Sequence, residues 1–226
     1  MEQVVRDEKE IKREVTNLID KNRIVNFSDA VFAFAATLLV LKIDLPQMTG
    51  ASIDAQFLAA IPSLLPQYLA NIISFFVIGY YWLNHHMIFA HLKKFNMTIV
   101  WMNIFFLILV SFLPFPVDLY GSYINVPSIV MFYSASLALV GFMLFGIWLY
   151  AVHKNRLIEH TLGKKEIAYY SARTLIAPVV FSLSIPLVAI HPLVAQFFWI
   201  LVIVGIVFLN KFFHSHSVST IKKTMI

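Results

Sequence analysis

The chain has 226 residues, 60% of them hydrophobic and 13% charged, with a mean hydropathy of +0.79. A soluble domain is about 45–50% apolar and about 25% charged, so a soluble globular fold is excluded, and apolar runs of about 20 residues are helix-length spans rather than barrel strands. The chain has no cysteine, which excludes disulfides and thiolate metal sites, and its net charge of +5 has to be judged by where the charges fall.

Residues 1–22 carry dense charges of both signs, with Ile11, Val15, Leu18 and Ile19 at helical spacing. They read as a charged cytoplasmic N-terminal segment continuing into the first span. The first apolar run is too long for a signal-peptide core and no small-residue cleavage site follows it, so the first helix is expected to insert and stay. Six apolar segments follow, at about 24–45, 57–90, 98–119, 126–152, 168–190 and 193–213. Pro62 and Pro66 are expected in the first turns of the second, where missing N–H groups cost least. Pro114 and Pro116 should bend or end the third, Pro127 should open the fourth, and Pro178 and Pro186 should kink the fifth. His191-Pro192 reads as the turn into the sixth. The expected fold is therefore all-α: six transmembrane helices in one domain over 23–213, then a cytoplasmic tail over 214–226.

The basic residues lie in alternate loops. Arg6, Lys9, Lys12, Arg13, Lys21 and Arg23 precede the first helix; Lys93 and Lys94 follow the second. Lys154, Arg156, Lys164, Lys165 and Arg173 separate the fourth from the fifth, and Lys211, Lys222 and Lys223 follow the sixth. Of the 17 Lys and Arg, only Lys42 falls on the other side. The positive-inside rule then predicts a multi-pass protein of the cell membrane with both termini cytoplasmic. A nucleic-acid partner is not expected, because no basic residues cluster with aromatics on a soluble face.

The first helix carries most of the information. At about 100° per residue, Phe27, Ala30, Phe34, Leu38 and Leu41 form one apolar stripe, with Thr37 about 60° to one side. Arg23, Ser28 and Asp29 are polar groups at its cytoplasmic end, and a charge inside a membrane needs a partner. Trp82 and His85 on the second helix and Asn103 on the third can donate to the Ser28 and Asp29 oxygens.

The ordered set Arg23-x-x-x-Phe27-Ser28-Asp29 followed by Ala-Val-Phe-Ala-x-x-x-Thr37-Leu38-Leu39-Val40-Leu41 resembles the first helix of the bacterial transmembrane protein 175 family of potassium channels. Trp82-Leu83-Asn84-His85-His86, Trp101-Met102-Asn103 and Ser111-Phe112-Leu113-Pro114-Phe115-Pro116 are also similar to the family pattern. The likeness is strong over about residues 20–120. It implies a homotetramer in the lipid bilayer with the first helix of each subunit lining a central pore for potassium ions. Arg23, Phe27, Ser28 and Asp29 would anchor that helix through hydrogen bonds. The narrow point would map to Phe34, further apolar rings to Leu38 and Leu41, and the selectivity threonine to Thr37. The chain departs from the family pattern at Phe34, where Ile or Leu is usual, and at Lys42, where an acid is common. It contains no Thr-Val-Gly-Tyr-Gly filter, so selectivity would come from pore width, hydration and hydroxyls.

The other site chemistries fit poorly. His85, His86 and His91 do not share a helix face, and paired-histidine zinc helices use spacing four, so no metal or other cofactor is expected. No nucleophile–base pair or glycine-rich phosphate loop stands out, so an enzyme is not expected either. His214 and His216 read as tail residues that could sense pH. The expected function is a potassium-favouring cation leak channel with a hydrophobic constriction. The alternatives are a non-conducting scaffold plugged at Phe34, or a secondary transporter, which should show an inverted repeat and polar midplane residues.

Overall fold

The computed structural model describes residues 21–43, 47–50, 52–93, 95–153, 157–158 and 162–224, without the side chains of Lys42 and 214–224. Expectations for residues 1–20 and for the His214 and His216 side chains lie outside the described residues. The described residues are helical throughout: α1 (Lys21–Leu38), a 3-10 turn (Val40–Lys42), α2 (Ile53–Ala90), α3 (Met97–Phe112), α4 (Pro114–Ser122), α5 (Pro127–Val152), α6 (Lys164–Leu187), α7 (Pro192–Phe198) and α8 (Ile200–Thr224).

Five stretches are long and apolar enough to cross a bilayer: α2, α3 with α4, α5, α6, and α7 with the first half of α8. Helix α1 is not among them. It has 18 residues, about 27 Å at 1.5 Å per residue, and Lys21, Asn22, Arg23, Asn26 and Asp29 dilute its hydropathy. It also stops at Leu38, short of the expected 45, and passes into the 3-10 turn.

Two other boundaries differ from the sequence expectation, and one falls where it was expected. Helix α2 starts at Ile53, so Pro62 and Pro66 lie in its interior rather than its first turns. The Gln56 side chain bonds both backbone groups of Thr49, accepting at 3.2 Å and donating at 2.8 Å, which steadies this early start. The third span breaks at Leu113, before Pro114, as the two prolines suggested. The sixth breaks at Trp199 and then runs helically to Thr224, so the expected separate tail begins as a continuation of α8.

The helices alternate in direction. Lys21 Nζ donates to the Ala90 and Leu92 carbonyls, both at 3.1 Å, placing a cation on the C-terminus of α2 where the helix dipole favours it. Leu92 pairs with Ile158 as an isolated bridge, and Lys93 N–H donates to the Leu157 carbonyl at 2.8 Å. On α6, Tyr169 donates to Asn210 of α8 at 2.8 Å. The start of α1, the end of α2, the start of α6 and the middle of α8 thus meet at one end of the bundle, here the terminus-bearing end. Lys21, Arg23, Lys93, Lys164, Lys165 and Lys211 all lie there.

The interior is filled by aromatic and aliphatic side chains, including Trp148, Tyr133, Phe106 and Phe181. Most of its few polar groups are paired, among them Ser74 with the Tyr133 hydroxyl at 2.9 Å, Tyr81 donating to the Leu137 carbonyl at 2.7 Å, and Trp199 Nε1 donating to Ser184 at 3.0 Å. The outer surface is apolar as well, with Phe76, Leu83, Phe105, Phe112, Ile203 and Phe208 exposed. An apolar exterior on this scale needs a lipid environment.

Helices α5 and α6 pack most closely, and the reason is at Gly141. A Cβ there would lie 2.8 Å from Pro178 Cδ and 2.9 Å from its Cβ, and both residues are buried. The Pro178 ring therefore occupies the volume that any side chain at 141 would need. Gly141→Ala is expected to destabilise the protein by about 1–3 kcal/mol, the usual cost of overpacking. A lower melting temperature of the detergent-solubilised variant, by fluorescence-monitored unfolding, would show it.

Candidate functional site

Helix α1 has one buried face and one open face. Ile24, Ser28, Phe32, Ala35 and Leu39 are buried. At about 100° per residue these positions form a narrow stripe against α2 and α3. The opposite face carries Arg23, Phe27, Ala30, Phe34, Thr37 and Leu41, all exposed, with Phe34 at 64% and Leu41 at 78%. By that spacing the centre of the open face falls on Thr37. Leu38, expected on the stripe, lies at its margin and is half-buried. The stripe is therefore rotated toward Thr37, and Leu41 keeps its place on it through the 3-10 turn.

The buried side is held by a chain of hydrogen bonds. Ser28 donates to the Ile24 carbonyl at 2.8 Å and accepts from Asn103 Nδ2 at 3.0 Å. Asn103 Oδ1 lies 2.9 Å from His85 Nε2. Because the amide oxygen can only accept, the imidazole carries its proton on Nε2 in this arrangement. Its Nδ1 has no partner among the described residues. The ring is packed between Phe89, with centroids 4.2 Å apart, and Phe106, at 5.6 Å and an interplanar angle of 6°. Phe32 closes a third side at 5.8 Å. Ser28, His85 and Asn103 are fully buried or nearly so.

Asp29 has its own partners. Trp82 Nε1 donates to Asp29 Oδ1 at 2.8 Å, and His86 Nδ1 lies 3.5 Å from the same oxygen, an ion pair whenever the imidazole is protonated. Trp82 and His86 are four residues apart on α2 and their rings touch, with centroids at 5.1 Å. The structure thus brings together Ser28, Asp29, Trp82, His85 and Asn103, with Trp82 donating to Asp29 and Asn103 to Ser28 as expected, and His85 bonding Asn103 rather than either oxygen. It leaves Arg23 and Phe27 outside the cluster, exposed on the open face. His86 is the partner that sequence reasoning passed over, although its four-residue spacing from Trp82 placed it on the same face.

On the open side, the Thr37 hydroxyl donates to the Phe34 carbonyl at 2.9 Å. The hydrogen is thereby engaged with the backbone, and the oxygen lone pairs remain available to an outside group. Between α1 and α2 runs an open groove of about 640 Å3, lined by Phe32, Ala36, Phe75, Gly79 and Leu83, with Asp29 and Trp82 beside them. Among the described residues no three His, Asp or Glu side chains gather as a metal site. The Lys42 side chain lies outside the described residues.

A bundle of apolar crossing helices with polar groups buried at its core and an apolar exterior defines a multi-pass helical membrane protein. Residues 23–114 match the family described as endosomal/lysosomal potassium channel TMEM175. A protein named a potassium channel from Chamaesiphon minutus is 32% identical over 151 residues, covering 66% of this chain and 74% of that one. Another, from Streptomyces collinus, is 33% identical over 106 residues, covering 47% of this chain. The match spans about half of that relative's length, 50%. The crystal structure of a lysosomal potassium-selective channel TMEM175 homolog from Chamaesiphon minutus superposes with a TM-score of 0.71 at 27% identity, covering 84% of this chain and 98% of that one. The chain belongs to the bacterial TMEM175 potassium-channel family.

The geometry sets a stability order within the cluster. Asn103→Ala removes bonds to both Ser28 and His85 and leaves buried polar atoms unpaired, at about 1–3 kcal/mol for each such group. Trp82→Phe removes one bond at a half-exposed carboxylate. The melting temperature of purified protein is expected to fall further for Asn103→Ala than for Trp82→Phe.

Proposed function

We propose that the chain forms a potassium-favouring cation channel whose pore is enclosed by α1 helices from four subunits. The observation that carries this reading is the open face of α1. Among the described residues nothing packs on that face, and it presents Phe34, Thr37 and Leu41 on a helix whose rotation the Ser28–Asn103–His85 chain holds.

On this reading α1 and the 3-10 turn after it are the sixth crossing segment. The helix is about 27 Å long against a hydrocarbon core of about 30 Å, and the turn supplies the remainder. An even number of crossings puts both ends of 21–224 on one side. The excess of basic residues there makes that side cytoplasmic. One subunit's interior is filled with side chains, so ions pass along the symmetry axis between subunits. Phe34 forms the hydrophobic constriction, with Leu41 and the margin of Leu38 beyond it, and the Thr37 hydroxyls supply oxygens beside it. Dewetting at the apolar rings closes the path. The groove between α1 and α2 is then covered by the neighbouring subunit, and Arg23 and Phe27 find their partners across that contact.

The test is potassium flux into proteoliposomes holding the purified protein, with sodium at equal concentration as the control. Potassium uptake exceeding sodium uptake is expected. Thr37→Val keeps the shape and removes the hydroxyl. It is expected to lower the potassium-to-sodium ratio by about threefold to tenfold, where tenfold corresponds to 1.4 kcal/mol. Phe34→Ala is expected to raise flux of both ions by widening the narrow point. A wild type that conducts neither ion while Phe34→Ala leaks both would instead identify a plug. If neither conducts in a verified tetramer, the pore assignment is wrong.

A further inference from the structure

On the face of α2 turned away from α1 lies a second groove, of about 280 Å3, framed by α2, α6, α7 and α8. Its wall is apolar, with Ile73, Val77, Phe181, Ile203 and Ile206 among the lining residues. Tyr80 and Ala177 line it too. One helical turn toward the terminus-bearing end, the same three helices turn polar together. Asn84 follows Tyr80 on α2, Arg173 precedes Ala177 on α6, and Asn210 follows Ile206 on α8, each at a spacing of four residues, about one turn.

These polar residues form one rim. Arg173 Nε donates to Asn84 Oδ1 at 3.1 Å, and its Nη1 donates to the Tyr169 hydroxyl at 3.1 Å. Tyr169 donates onward to Asn210 Oδ1 at 2.8 Å. The Tyr80 hydroxyl donates to the Arg173 carbonyl at 2.5 Å, and Asn84 Nδ2 donates to the Tyr80 carbonyl at 2.9 Å. Every acceptor around the guanidinium is neutral. Among the described residues no carboxylate forms an ion pair with it; Asp29 with His86 is the pair that forms. Glu166, the acid of α6, accepts from Gly163 N–H at 2.9 Å at the start of the helix.

Arg173 stands nine residues into α6, about 14 Å along it, and is half-buried. A permanent cation where the helix passes from its polar first turns into an apolar run is stabilised by an anion. A guanidinium is hydrogen-bonded most fully by a planar or tetrahedral oxyanion, and its fork matches phosphate. A long side chain directed toward the interface reaches headgroup depth. Exposed Lys211, which follows Asn210 on α8, adds positive charge at the same end of the bundle.

We propose that this groove holds an anionic phospholipid from the leaflet at the terminus-bearing end, with its phosphate on Arg173 and an acyl chain along the wall formed by α2, α6 and α8. The groove supplies the apolar length and the rim supplies the charge. Among the described residues no acid bonds the rim side chains to favour the ammonium of a zwitterionic headgroup, so an anionic lipid is selected. This reading requires only that the chain lies in a bilayer and is independent of ion conduction.

Native mass spectrometry of the full chain, titrated with phosphatidylglycerol or with phosphatidylcholine of the same acyl composition, tests it. Wild type is expected to bind phosphatidylglycerol at least fivefold more tightly. Arg173→Gln should bring the ratio close to one, and Arg173→Lys should keep part of the preference. Ile203→Trp fills the exposed wall without touching the rim and should weaken phosphatidylglycerol binding severalfold. Lys165→Gln, at the same end but away from the groove, should leave the ratio unchanged. Should Arg173→Gln fail to fold, Arg173→Lys and Ile203→Trp still decide the matter. Equal binding of the two lipids by wild type overturns the proposal, as does an unchanged preference in Arg173→Gln or an unaffected Ile203→Trp. Displacement of phosphatidylglycerol by inorganic phosphate at equal concentration overturns it too, since the groove would then contribute nothing. Occupation of the groove by a second subunit would appear as no lipid binding at all.

Discussion

The placement of α1 depends on the Ser28 hydroxyl. In a bilayer the hydrophobic effect does not press helices together, because lipid tails are as apolar as leucine, and helices are oriented by close packing and polar contacts instead. Helix α1 is the shortest and most polar of the crossing candidates, so this constraint falls hardest on it. Ser28 accepts from Asn103, and Asn103 in turn pairs with a histidine wedged between two phenylalanines. Turning α1 by one residue, about 100°, would withdraw Ser28 and strand Asn103 Nδ2 without a partner. The chain of bonds therefore fixes which residues look outward, and those residues are Phe34, Thr37 and Leu41.

Helix α2 organises both polar systems. Trp82, His85 and His86 point to the α1 side, while Tyr80 and Asn84 point to the α6 side and bond Arg173. A helix with polar groups on two faces cannot present either to lipid without loss, so both faces must be covered by partners. That explains why the stretch 81–89 is the best-buried part of α2, with Tyr81, Asn84, His85, Ile88 and Phe89 inside, while the residues before Pro66 are largely exposed. The Gly141–Pro178 contact then locks α6 to α5, so the α2–α6 connection is carried through to the remaining helices.

Much of this was legible in the residues themselves. Continuous apolar runs identified the spans, since lipid tolerates little else, and the donors Trp82 and Asn103 were legible because Ser28 and Asp29 needed donors and few exist in the apolar segments, whereas His85, read as a third donor to them, bonds Asn103 instead. The misplacements have physical causes. Leu38 was put on the outward stripe by a helical period anchored on Phe27, but the open face is centred nearer Thr37, because burial is set by where Ser28, Phe32 and Ala35 pack. Arg173 was counted as a loop cation, since orientation rules score any basic residue near a span end. Only the packing of α2 against α6 reveals that it sits well inside a helix with neutral partners. Arg23 was expected in the anchoring network on the family resemblance, yet Trp82 and His86 reach the Asp29 carboxylate and Arg23 is exposed.

The state of the Thr37 hydroxyl bears on ion sign and on selectivity in the proposed pore. Its hydrogen is committed to the Phe34 carbonyl, so a ring of these side chains offers oxygen lone pairs and no donors. A cation gains from such a ring and an anion does not. Donation to the backbone also polarises the oxygen and makes it a better acceptor. One ring of hydroxyls, however, replaces only part of an ion's hydration shell, and the neighbouring positions are Phe34 and Leu41, which replace none of it. An ion passing this level must therefore keep most of its water. Potassium holds its shell less tightly than sodium, so the less strongly hydrated ion is favoured, by a margin that one ring of neutral oxygens keeps modest compared with a filter of stacked carbonyls.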